Sequence, residues 1–130
     1  MKKIIMLCMV FFLFFAACEI TEERSPKSRT IKYEVTGAGL TVDITMRNSG
    51  LSTKYLYDEI LPESGSWSES FTVKGYRDDL FEAYISAKNK NHPSGTVTVS
   101  ISVDGTRVET TSSAADGIAT ASYDIYFPMF

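Results

Sequence analysis

The chain is 130 residues long, and its 13 Lys and Arg against 16 Asp and Glu leave a net charge of −3. That length holds one domain with a core large enough for independent stability, not two. The acidic balance excludes the basic surface that nucleic acid requires, and the single histidine excludes an imidazole-based metal cluster.

The first segment, residues 1–17, reads as an export leader. Lys2 and Lys3 give a positive start, Ile4 to Phe15 are uninterrupted apolar residues, and Phe15-Ala16-Ala17-Cys18 places small residues before a cysteine. A spanning helix needs about 20 apolar residues, so this run is too short to be an anchor by itself. The cysteine at the cleavage position resembles a bacterial lipobox, which implies acylation of the Cys18 thiol, with Phe15 where Leu or Val is commoner. Simple secretion is the alternative. Loss of Lys2 and Lys3 with the leader would take the net charge from −3 to −5, so anchoring to a membrane would rest on the lipid rather than on a basic patch. Cys8 would leave with the leader, and the exported domain would hold no disulfide.

Residues 18–29 carry charge and no apolar period, and they read as a tether. Glu19, Glu22 and Glu23 just after the cysteine resemble the surface-export signals of some Gram-negative lipoproteins; a merely solvated tether would look the same. The folded domain is expected over residues 30–130. Ile31, Tyr33 and Val35, then Leu40, Val42, Ile44 and Met46 after the Gly37-Ala38-Gly39 turn, alternate with polar residues as half-buried strands do. Lys54 to Leu61 is strand-like but not cleanly sided. Trp67, Phe71 and Val73 share a face that Glu69 interrupts.

Phe81, Ala83, Ile85 and Ala87 give a strand over Leu80 to Lys88, where a helical period also fits. Thr96 to Asp104 is the clearest strand, with Val97, Val99, Ile101 and Val103 inward and Thr98, Ser100 and Ser102 outward. Asp104-Gly105 predicts a type I′ hairpin turn, because both central residues of that turn take positive φ. Thr106 to Thr111 returns, and Ile118 to Phe127 closes the domain with Ala119, Ala121, Tyr123, Ile125 and Phe127 inward. Seven to eight short strands at this spacing predict an all-β fold, an immunoglobulin-like antiparallel β-sandwich, with a small barrel as the alternative.

Tyr33-Glu34-Val35-Thr36-Gly37, Leu61-Pro62 followed by Trp67, and the closing run Val99 to Val108 resemble the exported domain of the MmpS small membrane proteins, which accompany large lipid transporters of the resistance-nodulation-division type. The resemblance spans most of residues 31–126 and implies a sandwich fold and a role as an accessory to transport. Members of that family typically carry a transmembrane helix and a cysteine pair in the sandwich; here a lipobox stands in place of the helix and the pair is absent.

Catalytic chemistry is not indicated. His92 lies in a polar loop before Pro93, no Gly-x-Ser-x-Gly elbow occurs, and Asp58-Glu59 on a strand would point to opposite faces. Asp78-Asp79 in a turn lacks the spacing of a calcium loop. The sequence therefore predicts no enzyme, no metal and no cofactor. The candidate binding residues are Tyr55, Tyr57, Tyr76, Tyr84 and Tyr126, each a rigid apolar face with a polar tip, while Tyr33, Trp67, Phe71, Phe81, Tyr123 and Phe127 are assigned to the core. The expected partners are the membrane through a lipid on Cys18 and an envelope protein, or alternatively a glycan or lipid.

Overall fold

The computed structural model describes residues 25–91, 95–114 and 116–127. They form eight strands: β1 (Lys27–Thr36), β2 (Thr41–Arg47), β3 (Thr53–Ile60), β4 (Trp67–Gly75), β5 (Leu80–Asn89), β6 (Thr98–Val103), β7 (Thr106–Ser112) and β8 (Ile118–Tyr126). One sheet has the order β4-β1-β6-β7 and the other β3-β2-β5-β8, every neighbouring pair antiparallel. The expected sandwich is thus formed, and it is not a closed barrel, since each sheet keeps two edges. Hairpins β2–β3 and β6–β7 stay within a sheet, and the remaining connections cross between sheets.

Period-two alternation builds the core directly. Ile31, Tyr33 and Val35 of β1, Val42, Ile44 and Met46 of β2, Phe81, Ala83, Ile85 and Ala87 of β5, and Val99 and Ile101 of β6 are all buried between the sheets. The alternative helix over residues 80–88 is excluded, because β5 pairs on both sides, with β2 and β8. Tyr33, Phe71 and Phe81 form an aromatic chain from one sheet to the other, with ring centroids 5.3 and 6.1 Å apart. At Asp104 and Gly105 φ is 50° and 83°, as the type I′ turn requires. The turn is fastened to β1: Asp104 donates its N–H to the Thr30 carbonyl, and its carboxylate accepts the Thr30 N–H and an Arg29 N–H.

Four details differ from the reading of the sequence. Strand β1 begins at Lys27, three residues inside the expected tether, because Lys27, Ser28 and Arg29 pair with Gly75, Lys74 and Val73. Tyr123 keeps its inward register opposite Ala83 but is 39% exposed, since β8 is an edge strand and the ring looks out of the flank toward β7. Ser100 and Ser102 face outward as expected yet are only 5% and 9% exposed. Glu34 of β1 and Arg107 of β7 form an ion pair at 3.0 Å across the intervening β6 and roof these serines. Finally, Glu69 is no interruption without cause: with Lys54 of β3 it forms an ion pair at 2.9 Å that spans the flank between edge strands β3 and β4.

Candidate functional site

Strand β3 explains its own uneven pattern. Leu56 pairs with Ile44 and Glu59 with Val42, so between these pairs one extra residue is accommodated as a β-bulge. Asp58 takes φ 56°, a left-handed conformation that Asp tolerates better than most residues, and its N–H is received by the Asp43 carboxylate at 3.0 Å. The bulge shifts the register of the residues after it. Tyr55, Tyr57 and Ile60 are all exposed; Tyr57 stands 69% and Ile60 73% exposed on the free edge strand of their sheet. Without the extra residue the spacing of Tyr57 and Ile60 would send them to opposite faces.

The Tyr55 and Tyr57 rings are stacked, 6.3 Å between centroids and 6° from parallel. Beside them Lys90 pairs with the Asp58 carboxylate and lies 3.6 Å from that of Asp43. The bond to Asp58, supported by the charge of Asp43, holds the Lys90 ammonium above its ordinary pKa. The two carboxylates are therefore already matched by a cation of the chain. Among the described residues no group of three His, Cys, Asp or Glu comes together as a metal site.

The other candidate tyrosines are distributed more widely. Tyr84 lies on the outward row of β5, two strands from β3, half-buried, with its backbone N–H bonded to the Tyr33 hydroxyl. Tyr126 is exposed opposite Leu80 at the far end of the same sheet, and Tyr76 is exposed in the β4–β5 turn. Only Tyr55 and Tyr57 are brought together, and Ile60, which the sequence did not single out, joins them. Cys18 and His92 lie outside the described residues.

The outward face of the other sheet is polar. A groove of about 450 Å³ runs over it between Lys32, Ser70, Ser102 and Arg107. Glu34, bonded by Lys32 and then by Arg107, has its carboxyl held below the usual range. No model of a protein family and no curated protein matches this chain.

Proposed function

We propose that the protein is a non-enzymatic, lipid-anchored module of a bacterial cell envelope, tethered through Cys18, whose sandwich engages a partner protein through the outward face of β3. The observation that carries this reading is the stacked Tyr55–Tyr57 pair with Ile60, set by a bulge on one face of a free edge strand. Rigid aromatic side chains give large contact area at small entropic cost. An exposed strand edge adds unpaired backbone groups that a partner strand can use. The resemblance to the MmpS exported domain makes a transport assembly the natural setting for that partner.

The face also suits a glycan, which is the second reading: parallel rings offer a flat apolar platform, and Lys90, Asp43 and Asp58 beside them offer polar contacts. A lipid housed between the sheets is disfavoured, since Tyr33, Phe71 and Phe81 fill the space there. Affinity capture of the anchored protein from native membranes tests the choice. A protein recovered with the parent and lost with Tyr55→Ser/Tyr57→Ser supports the first reading, and recovery of glycan alone transfers support to the second. For the anchor, Cys18→Ala is expected to move the folded domain to the soluble fraction; unchanged fractionation would contradict it.

A further inference from the structure

Further exposed apolar side chains lie toward one end of the sandwich, away from the stacked tyrosines of β3; two of them, Leu80 and Tyr126, share the outward face of the β3-β2-β5-β8 sheet. Strand β1 starts at that end, with Lys27 opposite Gly75, the last residue of β4. The antiparallel order brings the β2–β3, β4–β5 and β6–β7 turns and the end of β8 to the same end. Leu51 in the first of these turns, Tyr76 in the second, and Leu80 and Tyr126, which pair across β5 and β8, are each at least half exposed. The β4–β5 turn is fixed in place: Tyr76 donates its N–H to the Asp79 carboxylate at 2.8 Å, and Phe127 donates its own to the Asp79 carbonyl at 3.3 Å.

We infer that this end of the sandwich, through Leu51, Tyr76, Leu80 and Tyr126, seats on the surface of the bilayer that holds the lipid on Cys18. The inference rests on the anchoring proposed above. Eight residues, Glu19 to Pro26, separate Cys18 from Lys27, and that length of chain reaches about 30 Å at full extension. The tether attaches at the Lys27 end of the domain and so keeps that end within about 30 Å of the membrane. Tyrosine is favoured at the interface between headgroups and acyl chains, where its ring is in apolar surroundings and its hydroxyl stays wet.

The acidic groups of this end are partly matched: Asp79 accepts the Tyr76 N–H, Lys27 and Lys74 add positive charge, and two other carboxylates are in ion pairs. Asp104 is paired with Arg29 at 2.7 Å and Asp78 with Arg77 at 3.5 Å. Four apolar side chains would hold a free protein on a membrane only weakly. On a short tether the same contact becomes intramolecular, and the high effective concentration makes it sufficient. The consequence is orientation: with this end seated, the outward face of β3 stands to the side, along the membrane plane, where an envelope protein can meet it.

The test uses the full chain, purified from membranes and reconstituted into phosphatidylcholine–phosphatidylglycerol vesicles with bromine on the acyl chains. The parent has one tryptophan, Trp67, at the opposite end of β4 from Gly75, about 27 Å away at strand spacing. Two reporters are compared with it, Trp67→Phe/Tyr126→Trp and Trp67→Phe/Leu80→Trp. Both are expected to lose emission in brominated relative to plain vesicles and to shift to the blue, while the parent is unchanged. Equal emission of both reporters in the two kinds of vesicle overturns the proposal. Failure of the chain to float with vesicles would count against the anchor instead. The chain beginning at Cys18, coupled through that thiol to a maleimide headgroup, then decides the contact by the same quenching.

Discussion

The hydroxyl of Tyr33, rooted in one sheet, donates a 2.9 Å hydrogen bond to the carbonyl of Arg47 in the other. It also accepts the Tyr84 N–H at 3.2 Å. The β2–β5 ladder ends at Met46 opposite Ile85, one step before Arg47 would meet Tyr84. The phenol thus takes the place of the next rung, joining the sheets where two strands of one of them part.

Tyr33→Phe leaves the Tyr84 N–H and the Arg47 carbonyl without this partner. Leaving part-buried backbone groups unpaired costs about 1–3 kcal/mol, and urea unfolding is expected to show a loss of that size with an unchanged m-value. The substitution also has a signature in pH. Burial pushes the Tyr33 hydroxyl up to about 12 from 10.0, so the folded state keeps a proton that the unfolded chain releases first. The stabilisation is complete below pH 10, declines as pH rises from there, and is gone above about 12. Tyr33→Phe is expected to flatten that alkaline decline.

Gly75 must lack a side chain. A Cβ there would stand 2.4 Å from the Phe127 ring, which is itself buried. Gly75→Ala is expected to destabilise by about 1–3 kcal/mol, the range for forced overpacking. Combined with Phe127→Ala, whose own cost comes from the cavity it leaves, the added effect of Gly75→Ala should shrink markedly. A double-mutant cycle by thermal unfolding checks this coupling.

The Asp104 carboxyl is held below its ordinary pKa, chiefly by the bond from Arg29 and next by the Thr30 N–H. A carboxyl lowered in the folded state adds stability above its unfolded value, 3.8, and loses it as pH falls through the lower folded one. Asp104→Asn keeps a residue that accepts φ 50° and so spares the turn while removing the charge. Acid unfolding of this variant is expected to be less steep than that of the parent below pH 3.8.

Much of the fold could be read from alternation alone, because side chains on a strand point to opposite faces and one face here is apolar. Val97 to Val103 is of this kind; the Asp104-Gly105 turn was legible from its preference for positive φ, and residues 80–88, which also fit a helical period, from their strand neighbours and short length. What could not be read arises from contacts between distant residues. Lys54 looks misplaced in β3 and Glu69 misplaced in β4 until the sheets are stacked, when each explains the other. Ser100 and Ser102 look solvent-facing because nothing local announces the Glu34–Arg107 pair above them. In the candidate site, the tyrosines of β3 were recognisable by type. Ile60 was not, because its face is set by the bulge at Asp58, and the partner that stabilises that bulge, Asp43, comes from another strand.

The outward face of β3 is proposed to meet a protein in the envelope. Benzoylphenylalanine in place of Tyr57, irradiated in living cells, tests this contact most directly, since the substituted ring stands in the stacked pair and on the exposed face. A discrete protein adduct of higher mass is expected at this position, absent when the same group replaces Lys74 on the outward face of the other sheet. Adducts with glycan or lipid alone, or an identical pattern from both positions, would contradict it.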